Sequence, residues 1–489
     1  MNYASLHRRL TLAPYRTLAV LLTASEAIYL LILRFDATNG VRPVLTFLAL
    51  LASLFVLYSL AGLLVQKVRD QRGILFLIIT GAVLFRLTLL PAGLASDNWT
   101  ALPEALRADV RGEAVAYERF LLYDHDIWRY LWDGHVQAHG INPFQSAPAD
   151  AALDALADVE NRELTDGRAV WRDIRDNINH ATTPTIYPPL AQLIFRLAHW
   201  LAPGSVLVMK SLLTSFDLLT VWLLALTLNR LGRPMTEVLW YAWNPLVIKV
   251  FAGSGHVDAV LVAALTATIY FLTAKARTTA ALSFGLAVLA KLSPVVLLPF
   301  VVRRVGWRHT MIVAAVVVIG YVPYLSAGPK LLTGLIRFSR DWQFNAGPFA
   351  LLQWLASSFS HDPATVARML SGLLIIGVVM MLTMRDDGQT ETTARHCALA
   401  LGALVIFSPA VMPWYVSWVL PLAVIAGQRW WFWFSALVCL AFLVLIDETE
   451  HAWVLWLEYG LGAAIGVAEF RRRSLNRNPT DLPADALTS

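Results

Sequence analysis

The sequence predicts an all-α, polytopic integral membrane protein with about fourteen helical spans and one large, helical extracytoplasmic loop. Three observations lead there. The 489 residues are 57% hydrophobic and 15% charged, with a mean hydropathy of +0.58, which excludes an ordinary soluble enzyme. Apolar runs recur along nearly the whole chain. Lysine and arginine fill one set of connecting segments and are missing from the short turns of the other.

The apolar runs lie near 17–34, 44–66 and 73–91. After a polar insert they resume near 206–229, 236–252, 256–274, 278–303, 309–325, 364–384, 395–409, 411–427, 430–446 and 451–469. The 278–303 run is broken by Lys291 and Pro294, so it reads as a tight hairpin of two short helices. With the N-terminus in the cytoplasm, the cytoplasmic segments carry Lys67, Arg69 and Arg72; Arg230 and Arg233; Lys275 and Arg277; Arg303, Arg304 and Arg308; Arg385 and Arg395; Arg429; and Arg471–Arg473 with Arg477. The outer turns near 253–255, 409–411 and 447–451 carry none. Both termini are then cytoplasmic, and the insert faces outward.

The pI of 9.2 therefore reads as topology, with no nucleic-acid partner implied. Arg8, Arg9 and Arg16 precede the first run without an evident cleavage site, so that run reads as a retained helix. Cys397 and Cys439 both sit in apolar runs, which argues against a disulfide framework. Residues 1–489 read as a single polytopic domain. Within it, 92–187 is the extracytoplasmic loop, 188–202 a half-inserted amphipathic helix, and 471–489 a cytoplasmic tail. A full span at 190–202 would place Arg230 and Arg233 outside, hence the half-insertion.

The insert is not a low-complexity linker. Residues 101–120 and 150–176 are rich in Ala, Leu, Glu and Arg and can form helices on the membrane surface. Thr182-Thr183-Pro184-Thr185-Ile186-Tyr187-Pro188-Pro189 is an extended, rigid entry into the next helix. The segment Tyr123-Asp124-His125-Asp126-Ile127-Trp128-Arg129-Tyr130 is the most informative stretch. Two acids one residue apart can hold a divalent cation or serve as a base, although the spacing alone is also met in solvated loops. If 124–138 is helical, Asp126, Arg129 and Asp133 share one face.

Other polar residues fall at the same outer level. Gly253-Ser254-Gly255-His256-Val257-Asp258 opens a helix and could seat a phosphate on free amides, or could simply be a capped helix start. Lys291, at its hairpin tip, could meet a lipid phosphate or snorkel. The 326–348 loop offers Arg337, Arg340, Asp341, Trp342, Gln343, Phe344 and Asn345, suited to a phosphate, a sugar face or a prenyl chain, and equally to interfacial anchoring. Trp414 and Tyr415, between Pro413 and the next run, read as belt residues or ligands. His361 and His451 read as exposed bystanders. No P-loop or Rossmann fingerprint is present, which suits an enzyme drawing an activated sugar from a lipid.

In this order the motifs resemble the GT-C superfamily of polyprenyl-phosphate-sugar glycosyltransferases. The DxD segment, Asp133-Gly134, Gly140-Ile141-Asn142-Pro143-Phe144 and Ile186-Tyr187-Pro188-Pro189-Leu190 are similar to the first luminal loop of the dolichyl-phosphate-mannose enzyme of GPI-anchor synthesis. They are closer to bacterial polyprenol-phosphate-mannose α-mannosyltransferases. Trp243-Asn244-Pro245-Leu246, the Gly253–Asp258 turn, Lys291-Leu292-Ser293-Pro294, Phe344-Asn345-Ala346-Gly347 and Pro413-Trp414-Tyr415 continue it, so that it covers about residues 73–427.

The resemblance implies an inverting transferase of a bacterial membrane. Its donor is a polyprenyl-phosphate sugar, mannose or a related hexose or pentose, and its acceptor a lipid or glycan. Asp124 and Asp126 would be the catalytic pair. Arg129, Asp133, Tyr187, Gly255, His256, Asp258, Lys291, Arg340, Asn345 and Trp414 are the substrate-binding candidates, with Arg129, Arg340 and the 253–256 turn for the departing phosphate. The family is mixed on metals, so Mg or Mn at Asp124 and Asp126 stays open. The larger members end in a globular domain; the polar tail here suggests a small lipid or glycolipid acceptor. Two rivals are a flippase of lipid-linked sugars and a non-catalytic assembly factor. A flippase calls for paired ionisable residues at the midplane, where Asp217, Lys210 and Arg86 come nearest with no pairing evident in the sequence.

Overall fold

The computed structural model describes residues 3–36, 43–68, 72–94, 100–159, 163–164, 167 and 169–475. These residues are mainly helical, joined by turns and loops, with isolated bridges such as Phe344 with Ala410. Seven helices among them are long and apolar enough to cross a membrane: Ala13–Arg34, Val44–Val65, Arg72–Leu89, Val206–Arg230, Trp307–Asp341, Pro363–Met384 and Trp430–Asp447. Three shorter apolar helices, Asp258–Thr273, Arg277–Ala290 and Pro413–Ile425, accompany them. The chain is a polytopic membrane protein. Arg69, Arg477 and most of the 471–489 tail lie outside the described residues; the last helix, Ala452–Leu475, runs through the start of that segment.

Two expectations change in detail. The 326–348 segment is not a loop: the chain stays helical to Asp341 across a kink at Gly328, and only then becomes extended. The 236–252 run is not one span but a broken helix. Its pieces are Met235–Val238, Leu239–Ala242, Pro245–Ile248 and a π-turn at Lys249–Gly253. The break follows from Asn244-Pro245. Pro245 removes an amide donor, and the Asn244 side chain accepts from the amides of Leu246 (3.1 Å) and Val247 (3.3 Å), restarting the helix. The 278–303 hairpin is present as Arg277–Ala290 followed by Ser293–Leu297 and Leu298–Val305.

The insert is a small helical layer. Asp126–Ala138 lies against Pro189–Leu201, with Tyr130 stacked on Phe195 at 4.6 Å. Gly134 allows this approach, because a Cβ there would sit 2.4 Å from the Phe195 carbonyl oxygen. The other face of Pro189–Leu201 exposes Leu193, Leu197, Trp200 and Leu201, so the helix is amphipathic.

Beneath the insert, Arg86 and Asp217 form a fully buried ion pair at 2.6 Å. This corrects the expectation that the intramembrane charges are unpaired. Tyr241 donates to the second Asp217 oxygen (2.8 Å), and Arg86 also donates to the carbonyls of Ala82 (2.9 Å) and Ala242 (2.8 Å). Lys210 donates to the carbonyls of Leu89 and Ala92. The Arg86–Asp217 group ties Arg72–Leu89, Val206–Arg230 and the broken helix together.

Losing one member strands the other charge in the bilayer. Asp217→Leu alone is expected to cost about 3–5 kcal/mol of stability, whereas Arg86→Met/Asp217→Leu should recover most of it. Thermal unfolding in detergent, followed by tryptophan fluorescence, checks this.

Candidate active site

The DxD segment is aimed by its own backbone. Leu122 (φ 46°) and Tyr123 (φ 67°) both take left-handed conformations, costing about 1–3 kcal/mol each. They turn Asp124 inward and let Asp126 start its helix.

Asp124 is 4% exposed and its Oδ2 meets His256 Nε2 directly. Lys249 Nζ lies 3.9 Å from the same oxygen, and the His125 amide donates to Oδ1 at 2.9 Å. Burial works against a charge on Asp124. His256, followed by Lys249, outweighs that penalty and holds the carboxyl below the usual carboxylate range.

Asp126 is differently placed. Both acids line the cavity, but Asp126 accepts from Asn179 (3.1 Å) and Tyr187 (3.4 Å) and lies 3.8 Å from His256 Nδ1. Burial and then the Asp126 charge push the Tyr187 phenol well above its ordinary value, so it remains a donor.

These groups open onto a cavity of about 890 Å³. Trp414 lines it and stacks on His256 at 4.0 Å. Lys291 lines it too, held by Asp258 at 2.8 Å and set over the rings of Tyr415 (4.7 Å) and Trp418 (4.8 Å). Trp418 donates to the same Asp258 oxygen. Lys291 therefore does not snorkel but belongs to an aromatic corner of the cavity. Away from the acids the walls become apolar, with Leu335, Phe338, Ile375, Leu404 and Phe407 along helices that face lipid on their other sides.

Several candidates are not where the sequence suggests. The Gly253–Asp258 turn is no phosphate cradle: its amides at Ser254, Gly255 and His256 already donate to Lys249, Phe251 and Val250. Gly255 (φ +74°) is walled in by Ile127 and Lys210. Asp133 is buried beneath the cavity, bonded to Arg129 (2.8 Å) and Gln192 (2.9 Å). Arg129 reaches the cavity but also donates to the Thr183 carbonyl, so it braces the wall. Arg340 is exposed and paired with Asp341, away from the lining. Asn345 (φ +48°) is clamped by Glu458, Glu450 and Tyr459 of the C-terminal region. It fixes the neighbouring Phe344, which pairs through its backbone with Pro409 and Val411.

The sequence reading missed Lys249, Asn179, His180, Trp418 and Arg368. Lys249 had a signal, a lysine in an apolar run just before the glycine turn. The others had none.

Asp124, Asp126 and His256 offer three ligand atoms within 4.8 Å of one another and so could hold a cation. Such an ion would have to part His256 from Asp124 and sit beside Lys249. The acids already have basic partners, and the fit to a resident metal is poor.

A carboxylate pair and basic and aromatic groups thus stand at one end of a cavity whose remaining walls are largely apolar. The chain matches the MptA/B family (Alpha-(1->6)-mannopyranosyltransferase, N-terminal domain) over residues 120–307 and the MptB C-terminal domain over 350–469. It is also similar to Alpha-(1->6)-mannopyranosyltransferase A of Mycobacterium tuberculosis, 24% identical over 383 residues, 70% of this chain and 69% of that protein. No solved structure matches it significantly. The chain belongs to the GT-C mannosyltransferases of the MptA/B family.

Because Asp124 is depressed in the folded state, its stabilisation is present above the unfolded value, about pH 4, and fades as pH falls toward the folded one. Asp124→Asn is expected to lower the unfolding temperature most near neutrality, with the gap to wild type narrowing below about pH 4.

Proposed function

We propose that the protein transfers mannose, with inversion, from a polyprenyl-phosphate donor to a lipid or glycan acceptor on the extracytoplasmic face of a bacterial membrane. The name of the mycobacterial relative makes an α-(1→6) linkage the first product to test. The observation that carries the reading is one continuous cavity that runs from Asp126 to an apolar alley between membrane helices. A donor whose head is polar and whose tail is hydrocarbon fits such a shape. The alternation of basic loops supports the outward placement of residues 92–187 and the cytoplasmic termini. The division into one polytopic domain, an outer loop and a half-inserted helix at 188–202 belongs to the same proposal.

In this mechanism Asp126 is the base. It faces the cavity and has only neutral donors within hydrogen-bond reach. It removes the acceptor hydroxyl proton as that oxygen attacks the anomeric carbon. The bond from that carbon to the phosphate oxygen breaks, and the electron pair leaves with the lipid phosphate, which needs no nucleotide. Asp124 is less suited to proton transfer because His256 and Lys249 stabilise its charge. Its part is to hold His256, and through it Trp414, in place. Tyr187 and Asn179 aim Asp126, while Trp414 and Lys291 form the surface for the sugar.

Purified protein in nanodiscs, given radiolabelled polyprenyl-phosphate mannose, tests this directly. Asp126→Asn is expected to keep its unfolding temperature and lose about 10²–10⁴-fold in turnover. Full activity in that variant would remove Asp126 as the base. Because Lys249 and His256 already offset the acids, turnover is expected to change by less than about two-fold in EDTA. Loss on chelation, restored by Mg or Mn, would instead place a cation on Asp124, Asp126 and His256.

A further inference from the structure

The helix Pro363–Met384 carries a polar stripe on an otherwise apolar span. Arg368, Ser371, Gly372 and Ile375 all line the cavity, at positions i, i+3, i+4 and i+7, so they form one face. Met369, Leu373, Ile376 and Met380 form an adjacent face and are exposed to lipid. The stripe thus stands where the cavity adjoins the bilayer.

Each member has an unusual local state. Arg368 donates from Nε to the Ser339 carbonyl (3.1 Å) and lies 5.6 Å from the Phe349 ring centre, but no carboxylate among the described residues is in ion-pair reach. The neighbouring acids are engaged elsewhere: Asp341 pairs with Arg340, and Asp362 caps the Thr365 amide. The other cavity cations are committed, Lys291 to Asp258 and Arg129 to Asp133. Ser371 is 3% exposed, and its hydroxyl has no hydrogen-bond partner. A Cβ built on Gly372 meets nothing within 4 Å, so the helix leaves a notch there. A guanidinium without a carboxylate, a buried unused hydroxyl and a notch, in sequence down one helix face, call for an anion with an apolar chain behind it.

We propose that this stripe seats a lipid phosphate: Arg368 and Ser371 donate to the phosphate oxygens, and the start of the hydrocarbon chain lies over Gly372 and Ile375 toward Leu404. The inference rests on the reading that the donor is membrane-borne, and it assigns the phosphate a holder that the Gly253–Asp258 turn and Arg340 do not provide. The position suits the chemistry. Ser339, which accepts from Arg368, lies three residues before Trp342. Trp342 meets His180 edge-on at 4.2 Å, and the adjacent Asn179 donates to Asp126. Phosphate and base are thus on one connected wall, with room for a sugar between them.

Binding of undecaprenyl phosphate to the detergent-solubilised full chain, with phosphatidylinositol and inorganic phosphate as parallel probes, tests it. Arg368→Gln and Gly372→Leu are each expected to weaken undecaprenyl phosphate about 10-fold or more, with Arg368→Lys between them and wild type. The first atom of a side chain at Gly372 meets nothing within 4 Å, so the unfolding temperature of Gly372→Leu is expected to match wild type. Phosphatidylinositol and inorganic phosphate should not discriminate the variants. Unchanged undecaprenyl phosphate binding in both variants would overturn the site, and loss confined to phosphatidylinositol would overturn its assignment to the donor. If the variants lose undecaprenyl phosphate but wild type transfers no mannose, the lipid-phosphate seat stands and the mannosyl-phosphate reading fails. In turnover, the donor KM should rise about 10-fold with kcat within about two-fold.

Discussion

The site depends on burying one charge. Asp124 is out of water, and a carboxylate in that position is tolerable only with cationic partners in place. Those partners, Lys249 and His256, come from a π-turn and its exit more than a hundred residues further on. His256 in turn rests on Trp414, from a third part of the chain. Assembling the active site and docking the insert onto the membrane helices are therefore the same event. A loop that failed to dock would leave Lys249 and His256 without their carboxylate, so the penalty for leaving the pair unmade enforces the register between loop and bundle. The left-handed turn at Leu122 and Tyr123 is tolerated for the same reason, since it delivers the carboxylate to that pair.

That constraint also divides the labour between two chemically identical side chains. Asp124 is stabilised as an anion, and each group that holds it charged makes it a weaker base. Asp126, two residues on and in the first turn of its helix, takes its hydrogen bonds from the neutral Asn179 and Tyr187, with His256 further off at 3.8 Å. The DxD spacing puts both carboxylates at the cavity, with Asp124 buried in the loop and Asp126 on the first turn of the helix that follows.

Much of this was legible in the sequence, but unevenly. The membrane class, a helix within 124–138, the hairpin broken at Lys291 and Pro294, and the choice of Asp124, Asp126 and His256 as candidates follow from composition, periodicity and motif. Those signals are local. What was misread is tertiary. The Gly253–Asp258 turn looks like an anion seat because sequence shows glycines but not which carbonyls their amides meet; here a π-turn supplies those carbonyls. Asn345 and Arg340 have the chemistry of ligands, but their partners Glu458 and Asp341 decide otherwise. Arg86 and Asp217 lie 131 residues apart, and nothing in one dimension pairs them. Arg368, near the N-terminal end of Pro363–Met384, looks like an interfacial anchor until a neighbouring helix turns its face into a cavity wall.

The broken helix explains how ionisable groups can be held at this depth. A continuous span through 236–274 would place Lys249 and His256 seven residues apart on a rod, with both side chains on one face but no loop able to reach between them. Breaking it frees amides and carbonyls that a bilayer cannot satisfy. Asn244 takes up the amides at the restart. The π-turn takes up those at its exit, so that the Lys249, Val250 and Phe251 carbonyls receive Ser254, His256 and Gly255. With its backbone satisfied internally, the interruption costs little. It opens a gap in which Leu122 packs on Gly253 and Asp124 reaches His256. The glycines that look like a phosphate loop instead allow the close approach of Leu122 and Ile127 from the insert, while the amides of Ser254, Gly255 and His256 are taken up by the π-turn.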